Sequence, residues 1–345
     1  MKIFHDGRSI IRGGIFIITV LIFVPGCKRP APQATIQIPD AFEQNRNLGR
    51  GGNIGNILYK WNVWDKEREL EEFELMKEAG LTGVRINVRP FLHMEAEPPF
   101  TISDSLYNRL DWTVNEALKK GFTVIIDNHQ YRVMGADPVG LRDRFLSSWE
   151  QMAEHYKDYP DNVYFGVLNE PNGNLTPYLW NYIMIDAWKI IRKSNPARTL
   201  VIGPGVWNGF NALEELKLPE ADRNIIVEVH YYSPHRFTHQ GVDGRDTLIT
   251  WLGTPEEKKA VEDDFAKAVS WGKKYNRPLF LGEFGVYKKA DQESAVRWLA
   301  FVREQMEESG MSWSMWDLMN SGMGIYDEVN RRWIKERKDA VLPDL

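Results

Sequence analysis

The sequence predicts a single (β/α)8 domain, the TIM-barrel architecture, on three observations. From residue 50 onward, eight short β-rich runs alternate with longer segments of helical periodicity, spaced roughly thirty to forty residues apart. Several of the runs are continuously apolar, as strands buried on both faces must be. The unusual polar residues fall at the C-terminal ends of the runs, where such a barrel gathers its working groups. A doubly wound sheet is the competing class, and GRGGNIGN (residues 49–56) resembles its glycine-rich phosphate turn. Here, however, the glycines precede and interrupt a strand instead of opening a helix.

The runs, in order, are NIGNIL (53–58), GVRINV (83–88), TVIIDNH (123–129), VYFGVLNE (163–170), TLVIGPG (199–205), IIVEVHYY (225–232), PLFLGEFG (278–285) and SWSMWD (312–317). Between the first two, residues 65–79 place Leu70, Phe73 and Met76 on one helical face and stop at Gly80, a C′ glycine. The next helix, about 104–120, stops at Gly121 in the same way, and Thr176-Pro177 opens another. Thr254-Pro255-Glu256-Glu257 is a capping box with proline at the first helical position, and that helix runs to about Lys274. Residues 290–308 form the last predicted helix, ending at Gly310.

The N-terminus has a different character. Lys2, Arg8 and Arg12 precede the apolar run 13–24, and Pro25, Gly26 and Cys27 follow. This is the pattern of a secretory signal, too short to span as a helix. VPGC resembles the lipobox of bacterial lipoproteins, in which the cysteine becomes the lipidated N-terminus; Pro25 departs from its usual residue. The expected division is a lipoprotein-type signal over 1–27, a flexible tether over 28–45 with three prolines, and a catalytic domain over 46–345. Cys27 is the only cysteine, so the mature fold has no internal disulfide.

Composition narrows the function. The 345 residues are 43% hydrophobic with net charge −5, and the basic residues are dispersed, so nothing in the charge pattern suggests a nucleic-acid footprint. Thirteen tryptophans are many for one domain and offer flat apolar faces of the kind sugars stack on. Asn56 lies in run one and Arg85 inside run two, where a charge needs a partner. At or just beyond the ends of the later runs stand Asp127 and His129, Asn169 and Glu170, Trp207 and Asn208, His230 and Tyr232, Glu283, and Trp316. In a closed barrel strands four and seven lie across the lumen, so Glu170 and Glu283 converge. Two carboxyls flanking one bond are what glycoside hydrolysis requires. One donates a proton and the other attacks, and their mutual repulsion raises one pKa, which keeps the donor protonated near neutral pH.

The motifs GGNIGN, GVRINV, VIIDNH, SWEQMAEHYKDYPDNVYFGVLNEPNG, GPGVWN, VEVHYYSPH, LFLGEFG and WSMWD, in that order, resemble glycoside hydrolase family 5, the cellulase family of the retaining (β/α)8 clan. The resemblance implies Glu170 as acid/base and Glu283 as nucleophile. It further implies that Asn169 binds the sugar 2-hydroxyl, that Arg85 and Tyr232 orient the nucleophile, that His129 and His230 line the same subsite, and that Trp316 stacks beneath the sugar. Trp207 and Asn56 complete the expected substrate contacts. No cofactor is implied. Tyr131, Trp61, Trp64 and Trp251 are further candidate platforms, with core packing as the alternative for each.

A metal reading would group His129 and His230 with Asp127 or Glu228, but no close ligand motif is present. Alternation along run six sends Glu228, His230 and Tyr232 to one face, which fits a sugar site as well. Asp127 is expected to be structural, bonded to loop backbone. The long aromatic loop after run six, residues 233–254, suggests an open cleft and endo-cleavage of a β-1,4-glucan. β-Mannan, xyloglucan and short β-glucosides remain alternatives with the same chemistry, and a non-catalytic surface glycan-binding lipoprotein is the alternative of another class. The expected partner is a β-linked polysaccharide or oligosaccharide. The chain is expected to be a monomer, exported as a lipoprotein at the cell envelope with membrane contact only through a lipid on Cys27, the alternative being a secreted or periplasmic protein.

Overall fold

The computed structural model describes residues 37–55, 64–244, 248–319 and 322–343. The signal segment, Cys27, most of the tether, Asn56 and Trp61 lie outside the described residues. Eight parallel strands close into a barrel in sequence order: β1 (Arg50–Ile54), β2 (Gly83–Val88), β3 (Thr123–Asn128), β4 (Val163–Gly166), β5 (Leu200–Ile202), β6 (Ile225–His230), β7 (Leu279–Glu283) and β8 (Ser312–Met315). Pairing of Arg50 with Trp313 and Gly51 with Ser314 closes the ring. The predicted (β/α)8 class is what the chain adopts.

Helices start and stop where local chemistry says they should. Asp65 caps the helix Lys66–Glu78 through Arg68 N at 3.0 Å, and Gly80 follows at φ 67°. On that helix Phe73 and Met76 are buried, but Leu70 is only partly so. The neighbouring place is taken by Glu69, buried because Arg109 meets it at 2.7 Å. Thr254 forms both halves of its capping box with Glu257, and that helix runs Pro255–Tyr275.

Two expectations need correction. The first strand is Arg50–Ile54 instead of 53–58, so the glycine pair lies inside it. The tether does not extend to residue 45. Asp40 accepts from Phe42 N at 3.1 Å and caps a helix, Ala41–Leu48, which belongs to the folded domain. Proline-rich sequence ends at Pro39, and the capping aspartate follows directly.

That short helix closes the barrel at the N-terminal ends of the strands. Inside the barrel, Ile125, Tyr164, Val201, Ile226 and Phe280 form a cluster with Ala41 and Leu48. Asn45 is 3% exposed: its Nδ2 donates to Leu279 O at 3.0 Å, and its Oδ1 accepts from Ser312 Oγ at 2.6 Å. Gly83 permits the approach, since a Cβ there would stand 2.6 Å from Leu48 O. The helix thus covers the strand starts, and the polar residues Arg85, Asp127, Glu228 and Glu283 lie further along the strands, toward their C-terminal ends.

Replacing Asn45 by Ala leaves a strand-start carbonyl and a buried hydroxyl without partners. Thermal unfolding should show a loss of about 1–3 kcal/mol, with the groups at the opposite end undisturbed. An unchanged midpoint would mean that the helix merely rests on the barrel.

Candidate active site

Alternation along β2 turns Gly83, Arg85 and Asn87 into the barrel and Val84, Ile86 and Val88 outward to the helices. Arg85 is 0% exposed, and a guanidinium removed from water is tolerable only with partners. It has them on five other strands or strand ends. Nη1 donates to Asn53 Oδ1 on β1 at 2.9 Å and to Glu283 Oε1 on β7 at 3.1 Å. Nη2 donates to Asn169 Oδ1 beyond β4 at 2.7 Å and pairs with Asp127 on β3 at 3.0 Å. Nε faces Glu228 Oε1 on β6 at 2.9 Å. Burial opposes its charge, but Asp127, Glu228 and Glu283 outweigh it and raise its pKa further.

Glu170 follows β4 at φ 42°, a left-handed backbone that swings its side chain off the strand line. The strand proper ends at Gly166, four residues earlier than the 163–170 run predicts. Ladder-like bonds nevertheless continue from Val167 N to Val201 O at 3.0 Å and from Asn169 N to Asn128 O at 2.9 Å. Glu170 therefore stands on anchored chain. Asn169 is held at both ends of its amide, by Arg85 and, more loosely, by His129 Nε2 at 3.4 Å from its Nδ2.

Glu170, His230 and Glu283 each bring a carboxylate oxygen or ring nitrogen within 4.8 Å of the other two. His230 Nδ1 lies 2.9 Å from Glu170 Oε1 and 3.7 Å from Glu283 Oε2. Tyr232 donates its hydroxyl to Glu283 Oε2 at 3.0 Å. Glu283 is 4% exposed, and its pKa is pushed up to about 7, first by burial and then by Glu170 and Glu228, against the pull of His230 and Arg85. The sequence predicts an upward shift on the proton donor through like-charge repulsion; the shift seen here is on Glu283, the residue read as nucleophile, and burial is its first cause. Burial and nearby Arg85 hold His129 well below its usual range, so it is neutral, with Nδ1 directed at Asp127 Oδ2 2.9 Å away. Asp127 is structural, as expected, but its partners are the side chains of Arg85 and His129 instead of loop backbone.

Aromatic rings line one side of the cleft. Trp316, half-buried beyond β8, stacks on His129 at 5.6 Å and 5°. Tyr131 stands edge-on to His129 at 5.1 Å and meets Trp207 at 5.9 Å. Trp207 is 50% exposed, and its loop is unusual: Val206, Trp207 and Asn208 follow one another at φ 54°, 61° and 53°. Left-handed backbone at a β-branched residue costs on the order of 1–3 kcal/mol. Trp207 N, donating to Pro171 O at 3.0 Å, ties the turn to the segment carrying Glu170. Trp251 is core, 1% exposed, and offers no platform. Trp64 meets Trp112 edge-on, with Lys66 Nζ 4.2 Å from its ring centroid.

Arg85, His129, Asn169, Glu170, His230, Tyr232, Glu283 and Trp316 gather at this end, with Trp207 at the rim. Sequence reasoning missed Asn53, whose Nδ2 donates to Gly282 O at 2.8 Å and Met315 O at 3.1 Å while its Oδ1 holds Arg85. It placed Glu228 on the face of His230 and Tyr232 but gave it no partner in the site. The available signal for both was a polar side chain inside a strand on the same alternation as the site.

The sequence matches the family described as Cellulase (glycosyl hydrolase family 5) over residues 50–322. It is 35% identical over 319 residues to Endoglucanase H of Acetivibrio thermocellus, covering 90% of this chain and 34% of that one, so the chain spans about a third of that relative's length. Thermotoga maritima Cel5A in complex with cellobiose superposes with a TM-score of 0.83 at 41% identity, over 88% of this chain and all of that one. The same protein with mannotriose gives a TM-score of 0.83, 41% identity and the same coverage.

A carboxyl whose folded pKa lies near 7, above the ordinary 4.5, penalises the native state fully above pH 7 and not at all below 4.5. Glu283→Gln stands in for the neutral form. It should stabilise the protein at pH 8 by on the order of 1–3 kcal/mol, with the gain fading as pH falls through 7 toward 4.5. Parallel thermal melts of both proteins across that range test this, and a gain independent of pH would contradict it.

Proposed function

The chain belongs to the cellulase family, glycosyl hydrolase family 5, and on that premise we propose that it is a retaining endo-hydrolase of β-1,4-linked glucans. Glu170 protonates the leaving glycosidic oxygen, and Glu283 attacks the anomeric carbon to give a covalent glycosyl-enzyme. Glu170 then takes the proton of the water that releases it. The observation that carries this reading is the approach of the two glutamates: single atoms of each lie within 4.8 Å. Retaining enzymes hold their carboxyls about 5–5.5 Å apart, whereas inverting ones leave about 6.5–9.5 Å for a water.

The surrounding groups have parts that follow from their positions. Arg85, Tyr232 and His230 offset the charge of Glu283 as it ionises, which a buried carboxyl with a raised pKa needs if it is to attack. Asn169, fixed by Arg85, offers its remaining amide hydrogen to a sugar hydroxyl. Trp316 offers an apolar ring to the C–H face of a pyranose, and Trp207, out at the rim, does so for a sugar further along the chain. A β-mannan substrate is the second reading, supported by the mannotriose complex of Thermotoga maritima Cel5A. Export with a lipid on Cys27 rests on the N-terminal pattern alone. Incorporation of a labelled fatty acid into the full chain, absent in Cys27→Ala, is the expected result.

The protein from residue 28 onward should release reducing ends from barley β-glucan and carboxymethylcellulose, and Glu283→Ala should lose nearly all of that activity. Proton NMR of the first products should show the β-anomer ahead of mutarotation. Early α-anomer would overturn retention. Release from mannan and from neither glucan would favour the second reading. Trp207→Ala should raise KM on long chains more than it lowers kcat.

A further inference from the structure

Retaining hydrolysis uses two carboxylates, yet a third glutamate stands wholly inside this barrel. Glu228 is 1% exposed on β6, and a buried carboxylate without a task is a liability of several kcal/mol. The fold makes room for it: a Cβ on Gly282 of β7 would lie 1.9 Å from Glu228 Oε1. One flank of that oxygen faces Arg85 Nε at 2.9 Å, and the other faces His230 Nε2 at 3.3 Å. The opposite nitrogen of the same imidazole, Nδ1, is 2.9 Å from Glu170 Oε1. Glu228, His230 and Glu170 therefore form a line across the site, with a ring nitrogen facing a carboxylate at each end.

A neutral imidazole has one N–H and one lone pair, and a lone pair directed at either carboxylate would be repelled. Asn208 adds a second observation. Its Oδ1 is a buried acceptor without a partner, while its Nδ2 lies 3.4 Å from His230 Nε2. Turning that amide over presents Oδ1 to an Nε2–H and satisfies the orphan. With the amide so turned, both neighbours of Nε2 are acceptors and suit a proton there.

We propose that Glu228 is a positioning residue for proton donation: it keeps Nε2 of His230 protonated, so that Nδ1 meets Glu170 through a proton, and it thereby sets the alkaline edge of activity. The proposal rests on the assignment of Glu170 as acid/base. One proton passes between Nδ1 and Oε1, so that His230 goes from +1 to 0 as Glu170 goes from −1 to 0, and no other reactant is needed. Other charges face the ring as well. Glu283 approaches from β7, and Arg85 and Asp127 act from β2 and β3. Burial opposes the imidazolium, but Glu283, Glu170 and Glu228 together push its pKa up to about 10. Burial likewise opposes a charged Glu228, and Arg85 and His230 outweigh it and hold its carboxyl low.

The test is the isosteric Glu228→Gln, followed by the pH dependence of kcat/KM on β-glucan and on 2,4-dinitrophenyl β-cellobioside, whose leaving group needs no protonation. Removing the negative charge makes the His230–Glu170 pair lose its proton more easily. The alkaline limb on glucan should therefore move toward acid by about one pH unit, with little change on the dinitrophenyl substrate at neutral pH. A role confined to holding Arg85 would change kcat or KM with the limb in place, and that result overturns the proposal. If the variant does not fold, nitrogen-15 shifts of His230 in the wild-type protein decide: Nε2 protonated through pH 8 supports the proposal, and an unprotonated Nε2 at pH 7 overturns it. Glu170→Ala on the same two substrates separates the failures. Equal losses on both would sink the acid/base assignment. A selective loss on glucan with an unmoved limb in Glu228→Gln would sink only the part given to Glu228.

Discussion

A single buried guanidinium organises this protein. Arg85 reaches from β2 to side chains on or just beyond β1, β3, β4, β6 and β7, with no exposure to water. In so dry a place each contact is electrostatically strong, and an unmet one would be correspondingly harmful. The arginine thus needs its carboxylates as much as they need it. Asn169, Glu283 and Glu228 are oriented toward a common point because each answers to the same planar fork. The barrel supplies the ring of strand ends, and Arg85 determines which way their side chains turn.

Backbone strain does the remaining positioning. The left-handed residues described above, Glu170 and the run Val206–Asn208, face one another across the bond from Trp207 N to Pro171 O. Each is unfavourable alone and is held by what surrounds it. The strained segments carry the general-acid candidate and the exposed indole, while Arg85 sits inside the regular strand β2 and Glu283 ends β7, where its pairing with β6 shifts register. The division is physically sensible. The arginine that must balance buried charge stands on regular strand, and groups that must meet a varied polysaccharide chain stand on turns fixed by a few contacts.

Much of this was legible in the sequence because strand ends announce themselves: an apolar run that stops at Asn-Glu or Glu-Phe-Gly has few other readings. The eight-run rhythm identified the barrel for the same reason. Three features were harder to read. Gly51 and Gly52 mute the β signal of the first strand, so its start was placed three residues late. Asp40 as a helix cap was hidden behind a proline-rich stretch that suggested continued extension. Asn53 and Glu228 lie inside strands, where polarity suggests a misread period more readily than a site. Their purpose appears only when the lumen side of six strands is seen around one arginine, a long-range arrangement no local pattern encodes.

The fit between Glu228 and Gly282 also constrains history. A methyl group placed first on residue 282 would collide with a carboxylate oxygen 1.9 Å away, with two packed strands leaving it little room to retreat. Shortening Glu228 first produces no collision; it leaves a space and one less partner for Arg85. The two positions can therefore drift apart in one order far more easily than in the other. A lineage that has kept the acid is held to glycine next door, whereas one that has lost it can fill the vacancy and then find the way back blocked.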